Sequence, residues 1–353
     1  MPDTAAIGGP EGGHDQEAGM RGLLRNLTGL VAVALVATGC GGDGDSGADD
    51  GELRIAAIFS GPTTDADYNA LGLEALNAAE EDGAEVSYSE SVAVPDIERV
   101  LQEYVADGFD VIWTHGSQFY EATAKIAEQS PDVNFIGEFD GEPEGQPENV
   151  WTIDRNFHEV FYPIGTLAAN LTKSGKVGYL GGLSLPFSYS EVHAVEQAFD
   201  ESGESVSLTS VWSGDFNDTV KAQQLTSQLV SDGNDVVITS LNLGAVGAFK
   251  AVNDTDPGST WLTVKYTDKS QNGPEHYAAT VLYDFTSPLD EILGEIDGGT
   301  TQGRYVIGFG EGKGASVSVG DQVPAEAKAA AEESVAGITD GSIEVELDQS
   351  EVK

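Results

Sequence analysis

One turn of the chain, Asp65-Ala66-Asp67-Tyr68-Asn69, sets two carboxylates, an aromatic ring and an amide side by side. Those groups recognise; they do not by themselves break bonds. Acceptors, an amide donor and a ring face together suit a flat, uncharged, hydroxyl-bearing molecule. Asp and Asn at a helix start also act as N-caps, worth about 1 kcal/mol each. Capping accounts for Asp65 or Asp67 singly but not for Tyr68 and Asn69 in the same turn. Further on, Thr114-His115-Gly116-Ser117-Gln118 joins an imidazole and an amide to a glycine that admits close backbone approach. The simpler reading of His115 is a polar side chain bonded to nearby backbone. The later half repeats the theme with Phe187, Trp212, Asn242, Gly244, the run Tyr266-Thr267-Asp268-Lys269, and Asp284 between Tyr283 and Phe285. Catalytic residues are not expected. The sequence has no Gly-x-Ser-x-Gly elbow, no phosphate-cradling glycine loop with a lysine and no His-Glu-x-x-His, and its five histidines lack metal-ligand spacing. No cofactor or metal is expected.

These residues fall where strands should end. Short apolar runs at 53–60, 85–90, 111–114 and 133–136, then at 176–181, 205–211, 236–239, 262–264 and 280–283, read as strands. Amphipathic stretches at 70–80, 97–106, 121–129, 161–172, 191–199, 219–229 and 245–252 read as the intervening helices. Continuous apolar strands alternating with helices mean parallel βαβ units. Two such series meeting near 154–159, in a chain too long for one core, predict two doubly wound lobes. In open α/β sheets ligands bind beyond the carboxyl ends of the strands, which is where the residues above lie.

Ahead of the lobes, Arg21 and Arg25 precede an uncharged stretch, 27–37, and the segment closes on Val36-Ala37-Thr38-Gly39-Cys40. A basic start, a short apolar region and small residues form an export signal, and the region falls short of the ~20 residues of a membrane span. Small residues ending in Cys match the lipobox pattern, so Cys40 is expected to carry a two-chain lipid, which anchors stably where one chain does not. The competing reading is a short transmembrane anchor with an incidental cysteine. Residues 1–19 are acidic, which points to translation starting at Met20. Residues 41–52, all Gly, Asp, Ser, Ala and Glu, read as a self-repelling spacer. The whole chain has 16 Lys+Arg against 60 Asp+Glu, a net charge of −44, with 40% hydrophobic residues. A folded core under so acidic a coat suits molar salt, where screening shortens to about 3 Å, and points to a halophilic archaeon. It excludes nucleic acid as a partner, since phosphates need basic patches.

The chain resembles the basic membrane protein family of type I substrate-binding lipoproteins of ABC importers over roughly residues 53–346. The resemblance rests on Asp65-x-x-Tyr68-Asn69, on Trp113-Thr-His115-Gly116, on Ile164-Gly165-Thr166-Leu167-Ala168-Ala169, on Lys173-Ser-Gly175-Lys-Val-Gly178-Tyr-Leu-Gly181-Gly182, and on Val281-Leu-Tyr283-Asp284-Phe285. It implies a type I periplasmic-binding-protein fold, α/β, with two parallel-sheet lobes joined by a hinge. The expected division is 1–39 extension and signal, 40–52 lipidated Cys and linker, 53–156 plus about 284–303 for lobe 1, and 157–283 plus about 304–353 for lobe 2. Characterised members bind purine nucleosides. By position, Asp65 and Asn69 are then expected to contact the solute, with Tyr68 shaping the wall, Gly244 allowing approach and Asp268 accepting ribose hydroxyls. The family's Asp-Ser-Asp-Gln run is here Tyr266-Thr267-Asp268-Lys269, and Tyr283-Asp284 stands where some members carry a lysine. The implied mechanism is closure of one lobe over a small solute, with permease and ATPase subunits as partners and the protein monomeric at the cell surface. A receptor ectodomain for the same solute, or a surface nucleoside hydrolase, are the other readings.

Overall fold

The computed structural model describes residues 52–352; Cys40, the signal segment and most of the spacer lie outside the described residues. Two α/β lobes are built from the alternation expected. In the first, strands β1 (Arg54–Phe59), β2 (Glu85–Ser89), β3 (Val111–His115), β4 (Asn134–Glu138) and β5 (Val150–Asp154) lie in the order β5-β4-β3-β1-β2, all parallel. Helices α1 (Tyr68–Glu81), α2 (Ile97–Ala106) and α3 (Tyr120–Ala127) connect them. Tyr68, Gly72, Ala75 and Leu76 are the buried stripe of α1, spaced by helical turns.

The chain then crosses to the second lobe through α4 (Phe157–Leu171), followed by β6 (Lys176–Gly181), α5 (Pro186–Ser202), β7 (Ser207–Trp212), α6 (Thr219–Ser231), β8 (Val236–Ser240), α7 (Ala245–Val252), β9 (Trp261–Tyr266) and β10 (Tyr277–Tyr283). It returns through α8 (Thr286–Asp297), which packs on α1, to β11 (Gly303–Val306), which pairs in parallel with β5 as the edge of the first sheet. A third crossing leads to β12 (Gly308–Phe309), β13 (Gly314–Val319) and α9 (Ala325–Asp340). The second sheet runs β12-β13-β10-β9-β8-β6-β7, parallel except where β13 meets β10. Because β11 belongs to the first sheet, the return segment of the first lobe reaches Val306, three residues beyond the expected boundary.

In each sheet the strand order reverses direction beside the first strand, between β1 and β3 and between β6 and β8. These switch points face the crevice that a ligand uses in such sheets. The three crossings bracket it. At the first, Asn156 holds a left-handed φ of 52°, and Tyr283 from the second crossing donates its hydroxyl to the Arg155 carbonyl at 3.1 Å. Beyond α9 the C-terminal tail runs along α5, with Gln197 Nε2 donating to the Glu344 carbonyl at 2.9 Å. It reaches the first lobe where Gln349 Nε2 donates to the Asp140 carbonyl at 3.1 Å. The tail thus straps the two lobes together. No described helix is long and apolar enough to cross a membrane.

Candidate functional site

The crevice between the lobes is lined by Ser60, Tyr68, Ser117, Gln118 and Arg155 from one side and by Phe187, Phe216, Asn242 and Tyr266 from the other. The free volume is about 20 Å³, room for little more than one water and far below the ~300 Å³ of a small-molecule site. The lobes are therefore shut, and a solute enters only as they part.

Arg155 is the centre of this arrangement. Its Nε lies 3.1 Å from Glu138 Oε2, its Nη1 donates to the Tyr266 hydroxyl at 3.1 Å and its Nη2 to Ser117 Oγ at 2.7 Å. The guanidinium carbon sits 4.6 Å from the Phe157 ring centre, 5.2 Å from Tyr68 and 5.4 Å from Phe187, within cation–π range. Glu138, fully buried, also accepts the Tyr68 hydroxyl at 2.6 Å. Its Oε1 lies 2.6 Å from His115 Nδ1, misaligned for a hydrogen bond. Burial pushes the Glu138 carboxyl up, but Arg155 and His115 outweigh it and hold it below the usual range. The His115 ring stacks on Tyr68 at 3.8 Å, its Nε2 2.9 Å from the Tyr68 carbonyl. Gly72 makes room, since a Cβ there would fall 2.8 Å from the imidazole.

A second buried cation, Lys265 at the end of β9, has its Nζ 4.7 Å from Phe157, 4.9 Å from Tyr266 and 5.2 Å from Phe187, and pairs with Glu191 at 3.3 Å. Glu191 in turn accepts the Tyr179 hydroxyl. Burial, relieved in part by Glu191, lowers the Lys265 ammonium to about 8. A third cation closes the lobes directly: Lys269 donates to Asp67 Oδ1 at 2.7 Å across the crevice, and Thr267 Oγ1 to the Ala66 carbonyl at 3.1 Å. Asp67 is 1% exposed with Oδ2 unpartnered, and burial, opposed by Lys269, pushes it to about 6.

Of the residues singled out in the sequence, Tyr68, Phe187, Asn242 and Tyr266 line the crevice together. His115 is buried behind Tyr68 and bonded to backbone, the simpler of its two readings. Gly116 is buried next to Gln118 without reaching the pocket, and Trp212 packs on Tyr179 and Tyr189 within the second lobe. Gly244 serves internal packing, because a Cβ would meet the Phe216 carbonyl at 2.8 Å. Three carboxylates are corrected. Asp65 spends both oxygens on the start of α1, accepting from the amides of Asp67, Asn69 and Ala70 at 2.9, 3.1 and 3.0 Å and from Asn69 Nδ2 at 2.7 Å. Asn69 is thereby fully buried and internally bonded, its Oδ1 accepting from the Gly61 amide. Asp268 is exposed, caps the Ser270 amide at 2.7 Å and borders an outer surface pocket with Tyr277 and Ser318. Asp284 caps α8 through the Thr286 amide and the Ser287 hydroxyl, at 2.8 and 2.6 Å.

Sequence reasoning missed Arg155, Lys265, Glu138 and Phe216. A signal for the cations existed. In a chain with 16 basic residues against 60 acidic ones, Lys or Arg at a strand end is rare enough to ask what it faces.

A family model described as ABC transporter substrate-binding protein PnrA-like matches residues 52–314. The chain belongs to this PnrA-like family. It is 23% identical to basic membrane protein B of Borreliella burgdorferi over 253 residues, covering 69% of this chain and 73% of that one. It is 22% identical to basic membrane protein A2 of Borrelia garinii subsp. bavariensis, covering 80% and 83%. A solved ABC solute-binding protein from Aeropyrum pernix K1 shares the fold with a TM-score of 0.72 at 17% identity, over 84% of this chain and 94% of that one. One from Conexibacter woesei does so with a TM-score of 0.64 at 23% identity, over 83% and 98%. Like its PnrA-like relatives, the protein is a solute-binding component of an ABC system, not an enzyme. It binds a small solute and works with permease and ATPase subunits.

Proposed function

We propose that the solute is a nucleoside or a close relative with a flat heteroaromatic ring, captured between the lobes for import. One observation carries this reading. Aromatic rings of both lobes meet in the crevice, Tyr68 of the first and Phe187, Phe216 and Tyr266 of the second, with the Tyr68 and Tyr266 centroids 4.9 Å apart. A flat ring between two others needs about 7 Å, two contacts of ~3.5 Å, so a small parting of the lobes opens a slot for a base. Each face adds about 0.5–1.5 kcal/mol beyond buried area. The sugar end then meets polar groups such as Ser60 and Gln118. The lobe division at 157, 284 and about 306 supplies the hinge. Cys40 supplies the lipid that keeps the monomer at the outer face of the membrane, and the acidic coat fits high salt.

The test is a thermal-shift panel of nucleosides, bases and monosaccharides with the full chain in molar KCl. A ligand at a hundred times its Kd adds about 2.7 kcal/mol of stability. Stabilisation by nucleosides is expected. Stabilisation by monosaccharides alone would overturn the nucleoside reading and leave a sugar-binding protein.

A further inference from the structure

We infer that Arg155 determines which solute is taken, by donating two parallel hydrogen bonds to adjacent neutral acceptors on the solute ring, so that 6-oxopurine nucleosides are preferred over 6-aminopurine ones. The inference rests on the nucleoside reading above and deepens it.

Of the five N–H donors on a guanidinium, Arg155 gives one on each terminal nitrogen to Tyr266 and Ser117, while its Nε faces Glu138 as an ion pair. Two remain, one on each terminal nitrogen, on a side chain that lines the crevice. In the shut form the group is held in place. Its own carbonyl is held by Tyr283, the next residue is in a left-handed turn, and partners from both lobes fix its fork. Its guanidinium carbon lies 5.2 Å from the Tyr68 ring and 5.4 Å from the Phe187 ring, one from each lobe. A ring abutting the guanidinium edge is therefore flanked by the same aromatic walls.

Charge then selects the kind of acceptor. Glu138, ionised beside Arg155 and buried with it, balances the guanidinium within the site. What the crevice offers is a pair of oriented donors without excess positive charge, which suits a keto oxygen and a ring nitrogen better than a phosphate or carboxylate. Guanine and hypoxanthine carry that pair at O6 and N7, which an arginine fork matches. Adenine puts an amino donor where O6 stands, leaving donor against donor in a buried site, the arrangement that discriminates most strongly. Asn242, buried in the same crevice, makes no side-chain hydrogen bond among the described residues and is free to meet the remaining base edge.

Calorimetric titration of the full chain in molar KCl with guanosine, inosine, adenosine and 7-deazaguanosine tests this without altering the protein. Guanosine and inosine should bind at least about tenfold more tightly than adenosine and 7-deazaguanosine, the latter lacking the N7 acceptor. The variant Arg155→Lys, compared at matched unliganded stability, should bring the four affinities together, since a lysine has no fork. Adenosine binding as tightly as inosine, or 7-deazaguanosine as tightly as guanosine, overturns the role of Arg155 while leaving the nucleoside reading intact. If none of the four binds, both fall.

Discussion

At the scale of single residues, the same side chain type does opposite jobs depending on what its neighbours leave it. Asp65 looks like a ligand contact in the sequence, yet four donors of its own turn saturate it. Replacing it with alanine strips the amides of Asn69 and Ala70 and should cost about 1–2 kcal/mol of stability. Urea unfolding at fixed high salt would measure this. A wild-type midpoint would show that α1 starts without its help. Asp268 makes the converse case. It is exposed and turned to the outer face, so Asp268→Ala should leave solute affinity within about twofold, as surface substitutions usually do. A tenfold loss by calorimetry would restore its expected place in the site. The aromatics were legible in advance, because Tyr68, Phe187 and Tyr266 sit at predicted strand ends. Arg155 was not, because nothing local says that an arginine in Asp154-Arg155-Asn156 is buried.

At the scale of elements, the alternation of strand and helix was readable as far as β10 and faltered after it. There the chain leaves the second lobe for α8 and β11, then returns, so the regular βαβ sequence no longer describes what packs on what. β5 was overlooked for a simpler reason: no helix separates Val150–Asp154 from β4, so the alternation of strand and helix gives no sign of it. Helix α4 shows how a motif acquires meaning only in contact. A Cβ on Gly165 would lie 2.8 Å from Ala198 Cβ and 2.9 Å from Val195 Cα, so the glycine sets how closely α4 and α5 approach. Gly165→Ala should destabilise the second lobe by about 1–3 kcal/mol through overpacking, partly offset by ~1 kcal/mol of helix propensity. A net gain on thermal unfolding would mean the helices separate freely.

At the scale of the whole molecule, closure is linked to protons through Asp67. Its carboxyl rises from the ordinary 3.8 to about 6, chiefly because it is buried, with Lys269 opposing. Between pH 6 and 4 the folded, closed chain therefore holds a proton that the unfolded chain releases. The resulting stabilisation is complete below about pH 4 and disappears as pH rises through 6. Roughly two pH units correspond to ~3 kcal/mol. Relative to Asp67→Asn, the wild-type protein should gain up to that amount as pH falls from 7 to 4, followed by denaturant unfolding in molar KCl. The same linkage favours the shut crevice over an open one in which Asp67 meets water. A pH-independent difference between the two proteins would remove Asp67 from this role. Asp140, also buried and raised, with Asp154 beside it, acts in the same direction in both proteins and cancels in the comparison.

The sequence by itself determined the family, the two-lobed α/β fold and the strand ends that border the crevice. Those follow from local pattern: apolar runs of strand length, helical stripes and turn residues between them. It could not decide which polar groups face the crevice. That depends on which carboxylates are already satisfied by their own turns, as Asp65, Asp268 and Asp284 are. It depends equally on which cations are drawn between lobes more than a hundred residues apart in the chain, as Arg155 is to Tyr266. Hydrogen-bond saturation and cross-lobe pairing are properties of three-dimensional neighbours, and only the tertiary structure supplies them.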